Sequence, residues 1–326
     1  MKFLVGLAMC CVVVGSAIAV DLRMATFNTE SDEDTQPARV AETIAVMGGF
    51  DLLAVQEVES ADALKAYTEA AAKQGGRWRF VISENGVNVD RQADLLGIIY
   101  RADRLRQLET NELHIIRSKP DGTKYGKADW SLRGALRLRL LDLQTSGEIR
   151  VTTVHLKCCN ESGTRAHQAA LLAEELAKSA VPTIVLSDTN IPIEPGDDAP
   201  DNANIAAFTS LGPGSGRIWL RPVTPVKTQC SPDFNSMLNQ IYVPVGTVAT
   251  AEILFPEESY CSKDAAGYSD HRSVVAQLKS LAAPEGQLVG LSLSSAAKLT
   301  NAELEKREAD LQGVHRVGDI VSDGFQ

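Results

Sequence analysis

Residues 22–27, 52–55, 149–154 and 183–186 are short runs of aliphatic and β-branched residues bounded by polar or turn residues, the pattern of buried strands. Between these runs the apolar positions switch to helical spacing. Val40, Ile44 and Met47 fall on one face of a helix predicted over 37–47 and stopped by Gly48 and Gly49, and a second helix is predicted over 61–73. Further strands are predicted at 78–82 and 95–100, followed by a hairpin of 135–143 and 148–156 that turns near Ser146 and Gly147. A helix rich in Ala, Leu and Glu over 165–178 and strands at 241–245 and 273–278 complete the body. Mixed strands and helices with a central hairpin predict an α/β sandwich, its sheets packed together beneath outer helices. Residues 192–225, rich in Pro, Gly, Asp and Asn, read as long loops around a short helix.

Composition changes this picture only at the ends. Lys2 precedes an apolar stretch over 3–14, and Ala17 and Ala19 supply small residues where a signal peptide is cut. The mature chain is expected to begin near Val20, to be secreted or periplasmic, and to keep no stable membrane association, because no second strongly apolar segment of spanning length follows. An uncleaved membrane anchor is the alternative. Beyond Leu278, residues 282–286 read as a linker and 300–312 as a helix with Thr300 and Glu303 in capping-box spacing. The chain thus divides into a signal peptide (1–19), a body (20–280) and a C-terminal extension (281–326). Packing of the extension against the body and binding of a partner are both open.

Each hydrophobic run closes on polar residues: Asn28 after Phe27; Gln56 and Glu57; His155; Ser187, Asp188, Thr189 and Asn190; with Ser269, Asp270 and His271 before the last strand. Polar residues at strand ends gather where loops on a rigid scaffold carry chemistry. Carboxylates suit a hard divalent cation, and a histidine near neutral pKa can take a proton from water. Taken singly, these residues have plainer readings. Glu57 alone would be a surface glutamate, Asn28 a turn residue, Asp188 and Asn190 a helix cap, and His155 a hydrogen-bonded structural histidine.

These clusters, in this order and spanning residues 22–278, resemble the endonuclease/exonuclease/phosphatase superfamily of DNase I-like enzymes. The resemblance implies a four-layer α/β sandwich, two packed mixed β-sheets flanked by helices. It also implies Mg²⁺ (or Mn²⁺) held by Glu57 with Asn28 and Asp270 beside it, and His271 in acid/base duty. Asp188 and Asn190 would then touch nucleophile and phosphate, with Ser187 and Thr189 in the places usually held by Gly and Phe. Asn239 stands where many members carry an aspartate that orients the histidine, so His271 is expected to be a weaker base than in an intact dyad. His155, followed by Leu156 and Lys157, is similar to a His-Leu-Lys segment of secreted bacterial nucleases, which implies a phosphate ligand or proton donor. Arg133 resembles an arginine that contacts phosphate. The implied activity is metal-assisted phosphodiester hydrolysis, foremost by an endonuclease on DNA or RNA. Sphingomyelinase-like or inositol-phosphate phosphatase action, and an inactive binding protein of the same fold, are the alternatives.

The formal charge of -10 excludes a general polyanion-binding coat but not a nuclease with a local basic stripe. Such a stripe runs through Arg117, Lys119, Lys124, Lys127, Arg133, Arg137 and Arg139, with Tyr125 and Trp130 among them. Arg137 and Arg139 also alternate with leucines, as the solvent face of a strand would. Nucleic acid is therefore the expected partner; no protein partner is evident, and a monomer is expected. Past the signal lie Cys158, Cys159, Cys230 and Cys261, an even count that suggests disulfides in an exported chain. A bond between neighbours 158 and 159 would strain the backbone, so each is expected to pair with one of Cys230 and Cys261. Free thiols are the alternative.

Overall fold

The computed structural model describes residues 17–31, 34–84, 94–118, 120, 132–282 and 317–321. In chain order the first elements are β1 (Ala17–Asn28), α1 (Pro37–Val46), β2 (Leu52–Val58), α2 (Ala61–Ala72), β3 (Arg77–Ile82) and β4 (Leu95–Arg101). Next come β5 (Leu105–Leu113), β6 (Ala135–Asp142), β7 (Glu148–His155), α3 (Ser162–Ala177), β8 (Thr183–Asp188), α4 (Ile205–Leu211) and β9 (Arg217–Trp219). The remainder are β10 (Asn239–Pro244), β11 (Val248–Ile253), α5 (Glu258–Cys261), β12 (Val274–Ala282) and β13 (Val317–Val321).

The strands form two sheets, ordered β11-β12-β1-β2-β4-β3-β13 and β5-β6-β7-β8-β10-β9. Each sheet holds one parallel pair, β1 with β2 and β7 with β8. Parallel neighbours need a crossover, which α1 and α3 provide. Both members of each pair therefore finish at the same edge, Asn28 opposite Gln56 and His155 opposite Asp188.

Burial explains the unbroken hydrophobic runs. Met24, Leu52, Ala54 and Ile98 pack in one cluster with Leu136, Leu138, Val151 and Leu186 of the other sheet, a core that continues to α3 and α4 through Leu172, Leu176, Ala207 and Leu211. Their strand neighbours Ala25, Phe27, Leu53, Val55 and Ile99 point the other way, onto Val40 and Ile44 of α1 and Leu64 and Tyr67 of α2. With both faces of a central strand dry, alternation disappears. The result is four layers: α1 and α2, two mixed sheets, then α3 and α4, as expected.

Some elements differ from expectation for local reasons. β5 lacks a clean period because the register shifts between Gln107 and Glu109, and such a bulge breaks the alternation that marks a strand. The edge strand β11 leaves Val248 exposed. β13 pairs antiparallel with β3, extending that sheet with residues of the C-terminal extension; the helix expected over 300–312 lies outside the described residues. β1 begins at Ala17, so cleavage before Val20 would remove its pairings of Ala17, Ile18 and Ala19 with β12. Among the described residues, no helix is long and apolar enough to cross a membrane.

The cysteine pairing is corrected. Cys230 bonds Cys261, with Cα atoms 5.0 Å apart, while Cys158 and Cys159 are free. The cause is topological: Cys230 and Cys261 both lie on segments packed around residues 270–271. The Cys230 N–H donates to the Asp270 carbonyl at 2.6 Å, and the Tyr260 hydroxyl donates to the His271 carbonyl at 3.1 Å. Cys158 and Cys159 instead follow β7, where Arg165 of α3 holds the loop.

Candidate active site

The two parallel pairs deliver their polar ends to one crevice between the sheets. Asn28 is the link: its amide nitrogen donates to Glu57 Oε1 at 3.0 Å and to Asp188 Oδ2 at 2.9 Å, joining carboxylates from different sheets. Its own oxygen accepts the backbone N–H of Glu30 at 2.9 Å. Gln56, the partner of Glu57 in sequence, is fully buried and structural: its Nε2 donates to Thr153 Oγ1 of β7 at 2.8 Å and to Thr26 Oγ1 at 3.0 Å. It thereby fastens one sheet to the other directly behind Glu57.

Glu57 ends its pairing at a register shift between Val55 and Val58, with φ at +53°, a left-handed conformation unusual for a glutamate. Burial pushes its carboxyl up to about 7, against the opposing pull of Arg133 and of the Asn28 amide. Asp188 behaves oppositely. Burial would raise its pKa, but the imidazoles of His155 and His271, the Asn28 amide and the backbone N–H of Asn190 hold it below the usual carboxylate value. Asn190 itself sits at φ +50° and spends its amide nitrogen on the Leu156 carbonyl at 3.0 Å, leaving its oxygen uncommitted to that bond.

His271 Nδ1 lies 2.7 Å from Asn239 Oδ1 and 3.8 Å from Asp188 Oδ2, and its Nε2 lies 3.5 Å from Asp270 Oδ1. Burial lowers its proton affinity, yet Asp270, Asp188, Glu57 and Glu30 together outweigh burial and leave the pKa above its ordinary value. Carboxylates from other elements thus surround the imidazole, while Asn239 itself contributes no charge. Because Asn239 presents its oxygen, Nδ1 carries the proton and Nε2 is the basic atom.

His155 is within 3.4 Å of Glu57 Oε1 and 4.0 Å of Asp188 Oδ2. Burial, then the Arg133 cation, pushes its pKa down to about 3. It is a neutral imidazole at working pH, suited to a hydrogen bond with a phosphate oxygen. Arg133 is buried and pairs through Nη2 with Asp94 Oδ2 at 2.8 Å and through Nε with the Asp94 carbonyl at 3.3 Å. Its charge acts on Glu57 and His155 from behind. Asp94, whose pKa would be raised by burial, is held low by Arg133 and the Ser31 hydroxyl.

Three residues escaped the sequence reading. Asp94 immediately precedes β4, a polar residue at a strand end that could have been noticed. Glu30, two residues after Asn28, accepts the Asp270 N–H at 2.8 Å. Gln229, which donates to Asp270 Oδ2, sits in a loop with no local signal. Of the basic stripe, Arg117 donates to the Leu132 carbonyl, and Arg139 pairs with Glu148 and Glu109 on the outer face of β6. Lys119, Lys124, Tyr125, Lys127 and Trp130 lie outside the described residues.

A hard cation suits these donors. Glu57 is largely buried, with its proton affinity raised by that burial, and Asp188, Asp270 and Glu30 offer further oxygens nearby. Two buried nitrogens, His155 Nδ1 and Asn239 Nδ2, have no hydrogen-bond partner. Among the described residues no three acidic, His or Cys side chains form a closed cage. Mg²⁺ does not need one, since it is bound by one or two carboxylates and completed by water and phosphate oxygens.

No protein-family model and no curated protein matches the chain. Solved structures do. An endonuclease/exonuclease/phosphatase from Bacteroides vulgatus has a TM-score of 0.58 at 16% identity, covering 79% of this chain and 98% of its own. The Bacteroides thetaiotaomicron mannosyl-6-phosphatase has a TM-score of 0.57 at 17% identity, over 79% and 99% of the two chains. D. rerio TDP2, complexed with a single-strand DNA product, has a TM-score of 0.57 at 16% identity, over 79% and 98%. With its two mixed sheets between helical layers, this chain has the fold of the endonuclease/exonuclease/phosphatase superfamily.

Proposed function

We propose that the chain is a secreted or periplasmic, divalent-metal-dependent phosphoester hydrolase, and that its substrate is a nucleic-acid phosphodiester cut internally. The observation that carries the reading is the Asn28 amide joining Glu57 to Asp188 across the sheets, within a cluster that also holds His271 and Asp270. Mg²⁺ or Mn²⁺ held by Glu57, with Asp270 and Asn28 beside it, would supply a Lewis acid that polarises a phosphoryl oxygen and stabilises the departing one. His271 Nε2 accepts a proton from the attacking water, and Asp270 and Asp188 stabilise the resulting imidazolium. The free oxygen of Asn190 and the ionised Asp188 orient that water. Neutral His155 donates a hydrogen bond to a phosphate oxygen.

A phosphomonoester substrate is the second reading. Arg117, Arg133 and Arg139 of the basic stripe are engaged with carboxylates or backbone carbonyls, and the chain is acidic overall, which suits a small anion better than a long one. Incubation with supercoiled plasmid, RNA, sphingomyelin, inositol phosphates and sugar phosphates, with Mg²⁺ or EDTA, separates the two. Plasmid nicking or RNA cleavage that EDTA and Glu57→Gln abolish supports the first. Phosphate release from monoesters alone selects the second, and no turnover of any substrate removes both.

A further inference from the structure

The vicinal thiols stand apart from this chemistry. Cys158 and Cys159 follow β7 three and four residues after His155, and their Sγ atoms are 2.7 Å apart. That separation is inside ordinary sulfur contact and only about 0.7 Å beyond an S–S bond of ~2.05 Å. Adjacent Cα atoms are ~3.8 Å apart, shorter than the ~4.4–6.8 Å that disulfides usually span, so closing such a ring demands an unusual backbone. Cys159 already has one, with φ at +64°. Arg165 Nη1 holds the loop in that shape, donating to the carbonyls of Lys157 at 2.8 Å and Cys159 at 2.9 Å. The Lys157 N–H is tied to Gln168 Oε1 at 2.8 Å, and the Leu156 carbonyl to Asn190.

We propose that Cys158 and Cys159 form a reversible vicinal disulfide at the rim of the candidate active site. The oxidant class is a low-molecular-weight disulfide. The thiolate of Cys159, the exposed member, attacks one sulfur of the oxidant and expels a thiolate, giving a mixed disulfide. Cys158 loses its proton and attacks Cys159 Sγ, expelling the second thiolate. Two thiols lose two protons and two electrons, and one small disulfide becomes two small thiols. Burial raises the Cys158 pKa, and the Lys157 ammonium, 3.8 Å from its sulfur, acts against that rise. Ring strain places this bond among the labile disulfides, which reduce more readily than structural ones such as Cys230–Cys261.

The test is differential alkylation of the full-length folded chain after exposure to oxidised glutathione, followed by denaturation, N-ethylmaleimide and mass spectrometry of the peptide 158–165. The expected result is an unlabelled peptide lighter by two hydrogens than the dithiol form. It should gain two labels after mild reduction, while the peptides carrying Cys230 and Cys261 remain joined. Cys158→Ser should take one label or a glutathione adduct under the same oxidation, showing that protection needs both sulfurs. Two labels on the oxidised wild-type peptide would overturn the proposal. So would a stable glutathione adduct on it, its linkage to Cys230 or Cys261, or a dimer bridged through it. None of these outcomes depends on the substrate reading above.

Discussion

Replacing Glu57 with glutamine tests the electrostatic core of the site without using a substrate. An ordinary glutamate titrates near 4.5, and burial lifts Glu57 to about 7. Each tenfold change in proton affinity is worth about 1.4 kcal/mol, so the ionised folded state carries at most about 3 kcal/mol of strain. The side chain keeps 24% of its surface in contact with solvent, and screening reduces the expected value to about 2 kcal/mol. The folded state binds this proton more tightly than the unfolded state does. The penalty is therefore absent below the unfolded value of 4.5, grows as pH rises, and is complete above about 7. Glutamine keeps the shape and an oxygen for the Asn28 amide but never ionises. Urea denaturation in EDTA at about pH 5 and about pH 8.5 should show Glu57→Gln gaining on wild type by about 2 kcal/mol between the two conditions. Mg²⁺ should then stabilise wild type selectively, because a cation that binds only the folded state adds its binding energy. A gap independent of pH would refute the burial argument. Equal stabilisation of both proteins by Mg²⁺ would refute Glu57 as the ligand.

Other consequences follow from the same geometry. Asn239→Asp places a full charge 2.7 Å from His271 Nδ1; it should raise the histidine pKa further, move the acid limb of the pH-rate profile to higher pH and increase the rate, and an unchanged profile would count against His271 as the base. Cys261→Ser opens a link spanning 31 residues and should cost about 3–4 kcal/mol on loop-closure arithmetic. It should also lower kcat by loosening Asp270, which urea titration and kinetics measure separately. A Cβ at Gly97 would lie 2.8 Å from both Leu64 Cδ1 and Val55 Cγ2; Gly97→Ala should cost about 1–3 kcal/mol in thermal or urea unfolding, by forcing α2 away from the strand that carries Glu57.

Several of these residues were visible in the chain as written. Glu57, Asp188, His155 and Asn28 each end an aliphatic run, and a buried strand that stops at a polar side chain announces both the strand and a site at its end. The helices over 37–47 and 61–73 were legible because apolar spacing and stop signals agree there, as with Gly48 and Gly49. β5 was hidden because its bulge destroys the period. Gln56 stood in the sequence only as a polar neighbour of Glu57, whereas its bonds to Thr26 and Thr153 make it the fastener between the sheets.

What the sequence determined by itself is local: which runs are strands, which residues close them, and that Asn stands at 239. Only the packing of one sheet on the other decided that Asn28 touches Asp188 across 160 positions of chain, that Asp94 pairs with Arg133, and that carboxylates from several elements gather around His271. It also decided that Cys230 meets Cys261 rather than Cys158 or Cys159. The physical reason is that hydrophobic period and turn chemistry act over a few residues. Desolvation and Coulomb interaction depend on distance in space, and the fold alone sets that distance.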